Sequence, residues 1–132
     1  MKTIDKVAYL HFQDGKVLST LSKGKDKFYF PGGKREGNES DLETLTREIK
    51  EELSVDIIPE TAKLYGIFSA QAHGKAEGVL VQMTCYTAEF TGILAPDNEI
   101  EKIVWLGYSD RMDSSPVDQL IFEDLHKKGL VD

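Results

Sequence analysis

The chain has 132 residues, of which 40% are hydrophobic and 30% are charged. This length suits one core, so we expect a single domain over residues 1–132. Sixteen basic and twenty-three acidic residues give a formal net charge of −7, which disfavours a nucleic-acid polymer as partner. No apolar run suits a signal peptide or a bilayer span, so we predict a cytoplasmic protein that does not bind membranes.

The first part of the chain predicts a hairpin followed by a loop. Two apolar, β-prone runs at 6–12 and 17–21 are joined by a turn that contains Asp14-Gly15, a strong hairpin signal. A polar loop rich in lysine follows. The aromatic run at 28–30 then meets the Pro-Gly-Gly segment that starts at Pro31, where we predict that the strand ends and a loop begins.

A helix is predicted over residues 41–53. Ser40 and Glu43 have the spacing of a capping box, which marks a helix start. Apolar residues follow at helical spacing and would form one buried stripe. The members of this stripe are Leu42, Leu45, Ile49 and Leu53.

The second half of the chain predicts three strands and a helix. The strands are expected at 63–70, 78–90 and 100–106, and the helix at about 116–128. The apolar face of this helix would contain Val117, Leu120, Ile121 and Leu125. The predicted fold class is α/β, with a central mixed β-sheet sandwiched between two helices.

Three glutamates crowd the C-terminal half of the first predicted helix. Glu48, Glu51 and Glu52 are i, i+3 and i+4 neighbours, so a helix places them on one side. Like charges at these spacings cost about 0.2–0.5 kcal/mol per pair, and anions near a helix C-terminus oppose the macrodipole. The glutamates also border the apolar stripe, and the partial desolvation that we expect there strengthens their repulsion.

Three explanations of this cluster are open. A solvated helical face is the usual one. Pairing within the helix is the second, because Arg47 can reach Glu43 and Glu51. A bound divalent cation is the third, since one guanidinium does not balance three carboxylates. Carboxylates without histidine or cysteine suit Mg²⁺ or Mn²⁺, and Mg²⁺ shares its shell with water and substrate phosphates. The third explanation therefore implies a substrate that carries phosphates.

The Gly-Gly-Lys segment at 32–34 is not a P-loop. A P-loop needs a glycine where this chain has Phe28, and Ser or Thr where it has Arg35. This difference excludes a nucleoside-triphosphate switch or kinase of the P-loop class.

From Gly33 the sequence resembles the Nudix box, the pattern Gly-x5-Glu-x7-Arg-Glu-U-x-Glu-Glu-x-Gly-U in which U is aliphatic. The box spans 33–55, and Ser54 alone departs from it, where the family has a glycine that can adopt positive φ. Together with the order of elements, this indicates a small MutT-like member of the Nudix hydrolase family, whose fold is an α/β/α sandwich. The matching positions are Gly33, Glu39, Arg47, Glu48, Ile49, Glu51, Glu52 and Val55.

The resemblance implies a hydrolase that splits a diphosphate bond in a nucleoside diphosphate derivative, with Mg²⁺ or Mn²⁺ as cofactor. It implies that Glu51, Glu52 and the Gly32 carbonyl bind metal. Glu48 would bind metal or act as general base, and Arg47 would position the glutamates. We expect Ser54 to cost about 1 kcal/mol or less, or to end the helix differently.

Other candidates lie around these residues. Glu39 would give structural or electrostatic support. Lys34 and Arg35, which follow the glycines, are candidate substrate-binding residues, because an anionic substrate needs a cation.

MutT-type enzymes often add a carboxylate in the loop before the final strand, several residues ahead of a tryptophan. Glu99 occupies that place and is our third catalytic candidate, although Glu101 or Glu77 could serve instead. An ordinary loop acid is the competing interpretation.

The identity of the substrate stays open at this point. In MutT-type enzymes an asparagine contacts an oxidised purine, and its place falls near Ser114, so we do not predict hydrolysis of oxidised dGTP. The expected partner is a small nucleotide derivative, such as a nucleoside triphosphate, a sugar nucleotide or a dinucleotide polyphosphate, bound by a monomer or a homodimer. The alternative function is a sensing module that binds a nucleotide without cleaving it.

Overall fold

The computed structural model describes residues 2–132, so Met1, which the domain prediction includes, lies outside the described residues. Two short 3₁₀ helices, Pro59–Thr61 and Tyr108–Asp113, connect the regular elements. The helices are α1, Asp41–Leu53, and α2, Pro116–Lys127. The strands are β1, Thr3–Leu10; β2, Phe12–Gln13; β3, Lys16–Ser22; β4, Gly32–Lys34; β5, Asp56–Ile57; β6, Lys63–Gln71; β7, Leu80–Thr87; β8, Phe90–Thr91; and β9, Ile100–Leu106.

The main sheet is mixed and has the order β4-β1-β7-β6. Strands β1 and β7 run parallel, whereas β4 and β6 pair antiparallel to their neighbours. A second sheet has the order β2-β3-β9 and is antiparallel, and β5 pairs with β8. The predicted α/β class with a central mixed sheet is confirmed.

Two hydrophobic cores lie on opposite sides of β1. Val7 and Tyr9 pack in the core that contains the apolar stripe of α1, and Ala8 and Leu10 pack in the core that contains α2. All four side chains are buried, as expected for a central strand that is covered on both faces. The helices therefore enclose the sheet as layers of a sandwich. No helix within residues 2–132 is long and apolar enough to cross a membrane.

The predicted hairpin is confirmed. Asp14 and Gly15 have φ of 53° and 76°, the positive values that a type I′ turn needs, and β2 pairs with β3. The single strand expected at 6–12 is wrong, because the chain leaves the main sheet after Leu10 and β2 belongs to the second sheet.

The loop expected after Pro31 is wrong, because Gly32–Lys34 forms β4 and pairs with β1. Pro31 lies immediately before β4, an edge strand, where a proline is compatible with strand pairing. Gly32 has φ of 144°, and a Cβ at this position would overlap the carbonyl oxygen of Val7. The close approach of β4 to β1 thus requires glycine.

Smaller differences concern the second half of the chain. The strand expected at 78–90 is divided into β7 and β8, and β5 was not predicted. On α2, Leu120 is exposed and Phe122 is buried, so the expected apolar face is wrong at Leu120. Helix α1 has the predicted bounds, and the capping box between Ser40 and Glu43 is present.

Ser54 ends α1 in the left-handed conformation, with φ of 65° and ψ of 21°. Its N–H donates to the Lys50 carbonyl oxygen at 3.1 Å, and its hydroxyl donates to the Ala95 carbonyl oxygen at 3.2 Å. Ser54 thus adopts the left-handed backbone conformation that a glycine would adopt, and α1 ends at Leu53 as expected. The hydroxyl contact offsets part of the backbone strain.

Two substitutions separate these contributions. Ser54→Ala keeps the strain and loses the hydrogen bond, so it should lower the free energy of unfolding by about 0.5–1.5 kcal/mol. Ser54→Gly loses the same bond but relieves the strain, so it should be more stable than Ser54→Ala by about 0.5–1 kcal/mol. Urea unfolding measures both, and an alanine variant as stable as the glycine variant would contradict the left-handed conformation.

Candidate functional site

A cleft of about 640 Å³ opens along the face of the main sheet that α2 covers in part. Residues of α1 and β4 line one end, and the first turn of α2 contributes Pro116 and Val117. Side chains of β1 and β7 lie between them, and the loops around Lys23 and His73 line the rim. The cleft thus gathers residues that are far apart in the chain.

Glu52 is the most buried acid at the α1 end of the cleft. Its side chain accepts a hydrogen bond from the Gly32 N–H at 3.0 Å, and the residue is 8% exposed. Burial raises the pKa of Glu52 to about 8, and the nearby charges of Glu48 and Glu99 act in the same direction. The ion pairs formed within residues 2–132 do not include Glu52.

Glu48 lies beside Glu52 with its carboxylate against β4. A Cβ at Gly33 would overlap this carboxylate, so the box glycine leaves the space that Glu48 occupies. Burial raises the pKa of Glu48, and the hydrogen bond from the Arg47 guanidinium, at 2.9 Å, opposes that shift. The two acids therefore share a desolvated end of the cleft.

Arg47 joins α1 to the segment before it. Its guanidinium donates to both carboxylate oxygens of Glu39, at 2.8 and 2.9 Å, and to the Lys34 carbonyl oxygen at 3.0 Å. The hydrogen bond from Arg47 lowers the pKa of Glu39 to about 2. Arg47 does not pair with Glu43, whose side chain accepts from the Ser40 N–H in the capping box.

Glu51 stands apart from the other two glutamates. Its side chain is 44% exposed and lies 3.5 Å from the Arg47 guanidinium. Within residues 2–132, no three carboxylates, imidazoles or thiolates lie in an arrangement that could hold a metal ion as it stands. Of the predicted metal ligands, the cleft brings together Gly32, Glu48 and Glu52, whereas Glu51 faces Arg47.

The residues at this end nevertheless fit a hard divalent cation. The groups are carboxylates without histidine or thiolate, the donor set that suits Mg²⁺ or Mn²⁺. Glu48 and Glu52 lie in desolvated positions in which a positive charge would stabilise their ionised forms. The contact of Glu51 with Arg47 is long and partly exposed, so little free energy is lost if Glu51 binds a cation instead.

The other candidates are placed as follows. Lys34 lines the cleft, and Arg35 lines it too but donates to Asp5 at 3.0 Å and to Asp41. Glu99 lines the cleft just before β9, whereas its alternatives Glu77 and Glu101 do not line it.

Asp118 in the first turn of α2 was missed by the sequence analysis. It is fully buried, and one of its oxygens accepts from the Phe30 N–H at 2.9 Å. The other oxygen has no hydrogen-bond partner among the described residues, and burial raises the pKa of Asp118 to about 7. From the sequence it resembles an ordinary first-turn acid. Ser114, near the place of the purine-contacting asparagine, is also fully buried.

Lys6 on β1 was missed as well. It lines the cleft between the α1 glutamates and Asp118. The signal that could have revealed it is the alternation of Ile4, Lys6 and Ala8, which places a lysine on an otherwise apolar face.

Comparison with known proteins links this arrangement to one family. The sequence model described as NUDIX domain matches residues 5–122. The ORF135 protein of E. coli has 25% identity and a TM-score of 0.70, with 100% of this chain and 96% of that chain covered. The MutT protein from Bacillus halodurans has 25% identity and a TM-score of 0.69, with 90% and 79% covered.

A third solved structure shares the fold. It is a NUDIX hydrolase from Nitrosomonas europaea, with 22% identity and a TM-score of 0.74, and the similarity covers 98% of this chain and 93% of that one. The search of curated proteins finds no match.

The raised pKa of Glu52 predicts the pH dependence of stability. The folded protein binds this proton more tightly than the unfolded chain, so the metal-free protein should lose stability as pH rises from the ordinary value of 4.5 to about 8. Glu52→Gln should flatten this decline. Urea midpoints in chelator across this pH range measure it. Asp118→Asn removes the separate contribution of Asp118 to the pH dependence of stability. If stability declines with pH as steeply in Glu52→Gln as in the wild type, the burial of Glu52 is contradicted.

Proposed function

The chain belongs to the Nudix family, and from this premise we propose that it hydrolyses the diphosphate bond of a nucleoside diphosphate derivative with Mg²⁺ or Mn²⁺. Nudix hydrolases act on small nucleotide derivatives and generally use divalent metal ions.

The observation that carries the proposal is the pair of desolvated carboxylates at one end of a cleft that is also lined by lysines. Glu48 and Glu52 are held there at an electrostatic cost, because burial raises the pKa of both. Lys6 and Lys34 line the same cleft. A metal-bound diphosphate carries both the cations that the glutamates need and the anionic oxygens that the lysines need.

The chain's own residues have the following proposed roles. Glu51, Glu52 and the Gly32 carbonyl would hold the cation, and Glu48 would either hold it too or act as the general base. When bound, a divalent cation polarises phosphate oxygens and offsets negative charge that develops during their displacement. Arg47 orients Glu48 through the hydrogen bond of 2.9 Å, and its bidentate contact with Glu39 holds the guanidinium in place.

Two carboxylates are candidates for the general base. Glu48 lies at the α1 end of the cleft and is the first candidate, as the alternative to its role as a metal ligand. Glu99 comes from the loop before β9 and lines the same cleft. The proposed reaction is attack of this water at phosphorus.

Lys34 and Arg35 are the proposed substrate-binding residues beside β4. Lys34 forms no ion pair within residues 2–132, so its ammonium group is available to phosphate oxygens. Arg35 is held by Asp5 and Asp41 and would contribute positive potential from a fixed position. Nucleoside triphosphates, sugar nucleotides and dinucleotide polyphosphates all fit this chemistry.

The direct test is hydrolysis of a panel of nucleoside diphosphate derivatives in Mg²⁺ or Mn²⁺, with products resolved by chromatography. We expect release of a nucleoside monophosphate by the wild type. Glu52→Gln removes a metal ligand worth several kcal/mol in the transition state, so it should lower kcat/KM by about a hundredfold or more. Glu99→Gln should lower kcat, whereas Glu101→Gln, outside the cleft, is the matched control and should leave it unchanged.

Two outcomes would contradict the proposal. If no compound is cleaved in either metal while nucleotides raise the melting temperature, the protein is a binding module, which is the alternative function. If the substrate is cleaved equally well by wild type and Glu52→Gln, the α1 carboxylates do not hold the catalytic metal.

A further inference from the structure

Lys6 is a charged residue on an apolar face. Its neighbours along β1 on that face are Ile4 and Ala8, and its register partner on β7 is Met83, next to Val81 on the same side. Alternation along a strand directs all these side chains to one side of the sheet. A methionine or leucine at this position would continue the apolar face at lower cost.

Within residues 2–132 Lys6 takes part in none of the side-chain hydrogen bonds or ion pairs. Its Nζ lies 5.8 Å from the centroid of the Tyr29 ring, near the limit for a cation–π contact. Burial lowers the pKa of Lys6, and the charges of Asp118, Glu52 and Glu48 act in the opposite direction without a direct contact. A partly buried ammonium group that has no hydrogen-bond or ion-pair partner among the described residues makes folding less favourable.

The position of Lys6 relative to β4 points to the missing partner. Lys6 and Lys34 are directly opposite each other in the antiparallel pair β1–β4, and both line the cleft. Like charges in directly opposite positions destabilise a sheet. Two lysines at opposite positions of neighbouring strands, in a cleft that Glu48 and Glu52 also line, form a suitable site for an anion that binds together with divalent cations.

We propose that Lys6 binds a phosphate oxygen of the nucleotide and that, with Lys34, it forms a two-lysine clamp across β1 and β4. This inference rests on the proposed function only in taking a nucleotide as the ligand. It assigns Lys6 to phosphate recognition and adds a binding residue from outside the Nudix box.

The test compares nucleosides with nucleoside monophosphates, so that no diphosphate bond is present to be cleaved. Calorimetry in Mg²⁺ measures the binding of adenosine, guanosine, cytidine and uridine and of their monophosphates to wild type, Lys6→Met and Lys6→Arg. Lys102→Met, an exposed lysine on β9 outside the cleft, is the matched control.

The ratio of monophosphate affinity to nucleoside affinity reports the phosphate contact. It should fall by about tenfold or more in Lys6→Met, should recover in part in Lys6→Arg, and should not change in Lys102→Met. Because the methionine removes a partly buried charge, Lys6→Met should also melt at a higher temperature than wild type. Lys6→Gln is the second variant if the methionine variant does not fold.

Other results would overturn the inference. An unchanged ratio in Lys6→Met together with a lower melting temperature would mean that Lys6 serves only to balance Asp118. An equal loss of nucleoside and monophosphate binding would place Lys6 on the base or sugar.

The inference and the proposed function fail separately. A wild type that binds monophosphates through Lys6 but hydrolyses no diphosphate contradicts the proposed function alone. A wild type that hydrolyses its substrate while Lys6→Met keeps the ratio contradicts the inference alone. No binding of any monophosphate to the wild type overturns the inference.

Discussion

The burial of the Glu52 carboxylate against β4 is the constraint on which the site depends. Its hydrogen bond from the Gly32 N–H joins the end of α1 to an edge strand of the main sheet. Gly33 then leaves room for Glu48 against the same strand, so two acids lie together at one end of the cleft. Folding gains no electrostatic benefit from this pair, because burial raises the pKa of both groups.

Lys6 and Lys34 line the same cleft as Glu48 and Glu52, but among the described residues these lysines form no ion pair with either glutamate. Arg47 forms ion pairs with Glu39 and Glu48, whereas Lys6 and Lys34 have no carboxylate within ion-pair distance among the described residues. A ligand that brings both cations and phosphate oxygens satisfies the two groups together. Because such a ligand binds the folded state only, it should stabilise the protein by mass action.

Short sequence patterns predicted those parts of the site that are formed by interactions within one segment of the chain. The capping box of Ser40 and Glu43 sets the start of α1, and helical spacing then places Glu48 beside Glu52. Strand β4 could not be predicted in this way, because three residues with two glycines become a strand only through pairing with β1. The environment of Lys6 likewise depends on the parallel neighbour β7, a contact between distant parts of the chain.

The central claim is that the crowded carboxylates of α1 bind divalent metal. Titration of Mn²⁺ into the protein, followed by the loss of the free-ion electron paramagnetic resonance signal, tests this claim without any knowledge of the substrate. We predict that the wild type and Glu101→Gln bind Mn²⁺ and that Glu52→Gln binds it at least about tenfold more weakly. Equal binding by Glu52→Gln, or no binding by the wild type, would contradict the account.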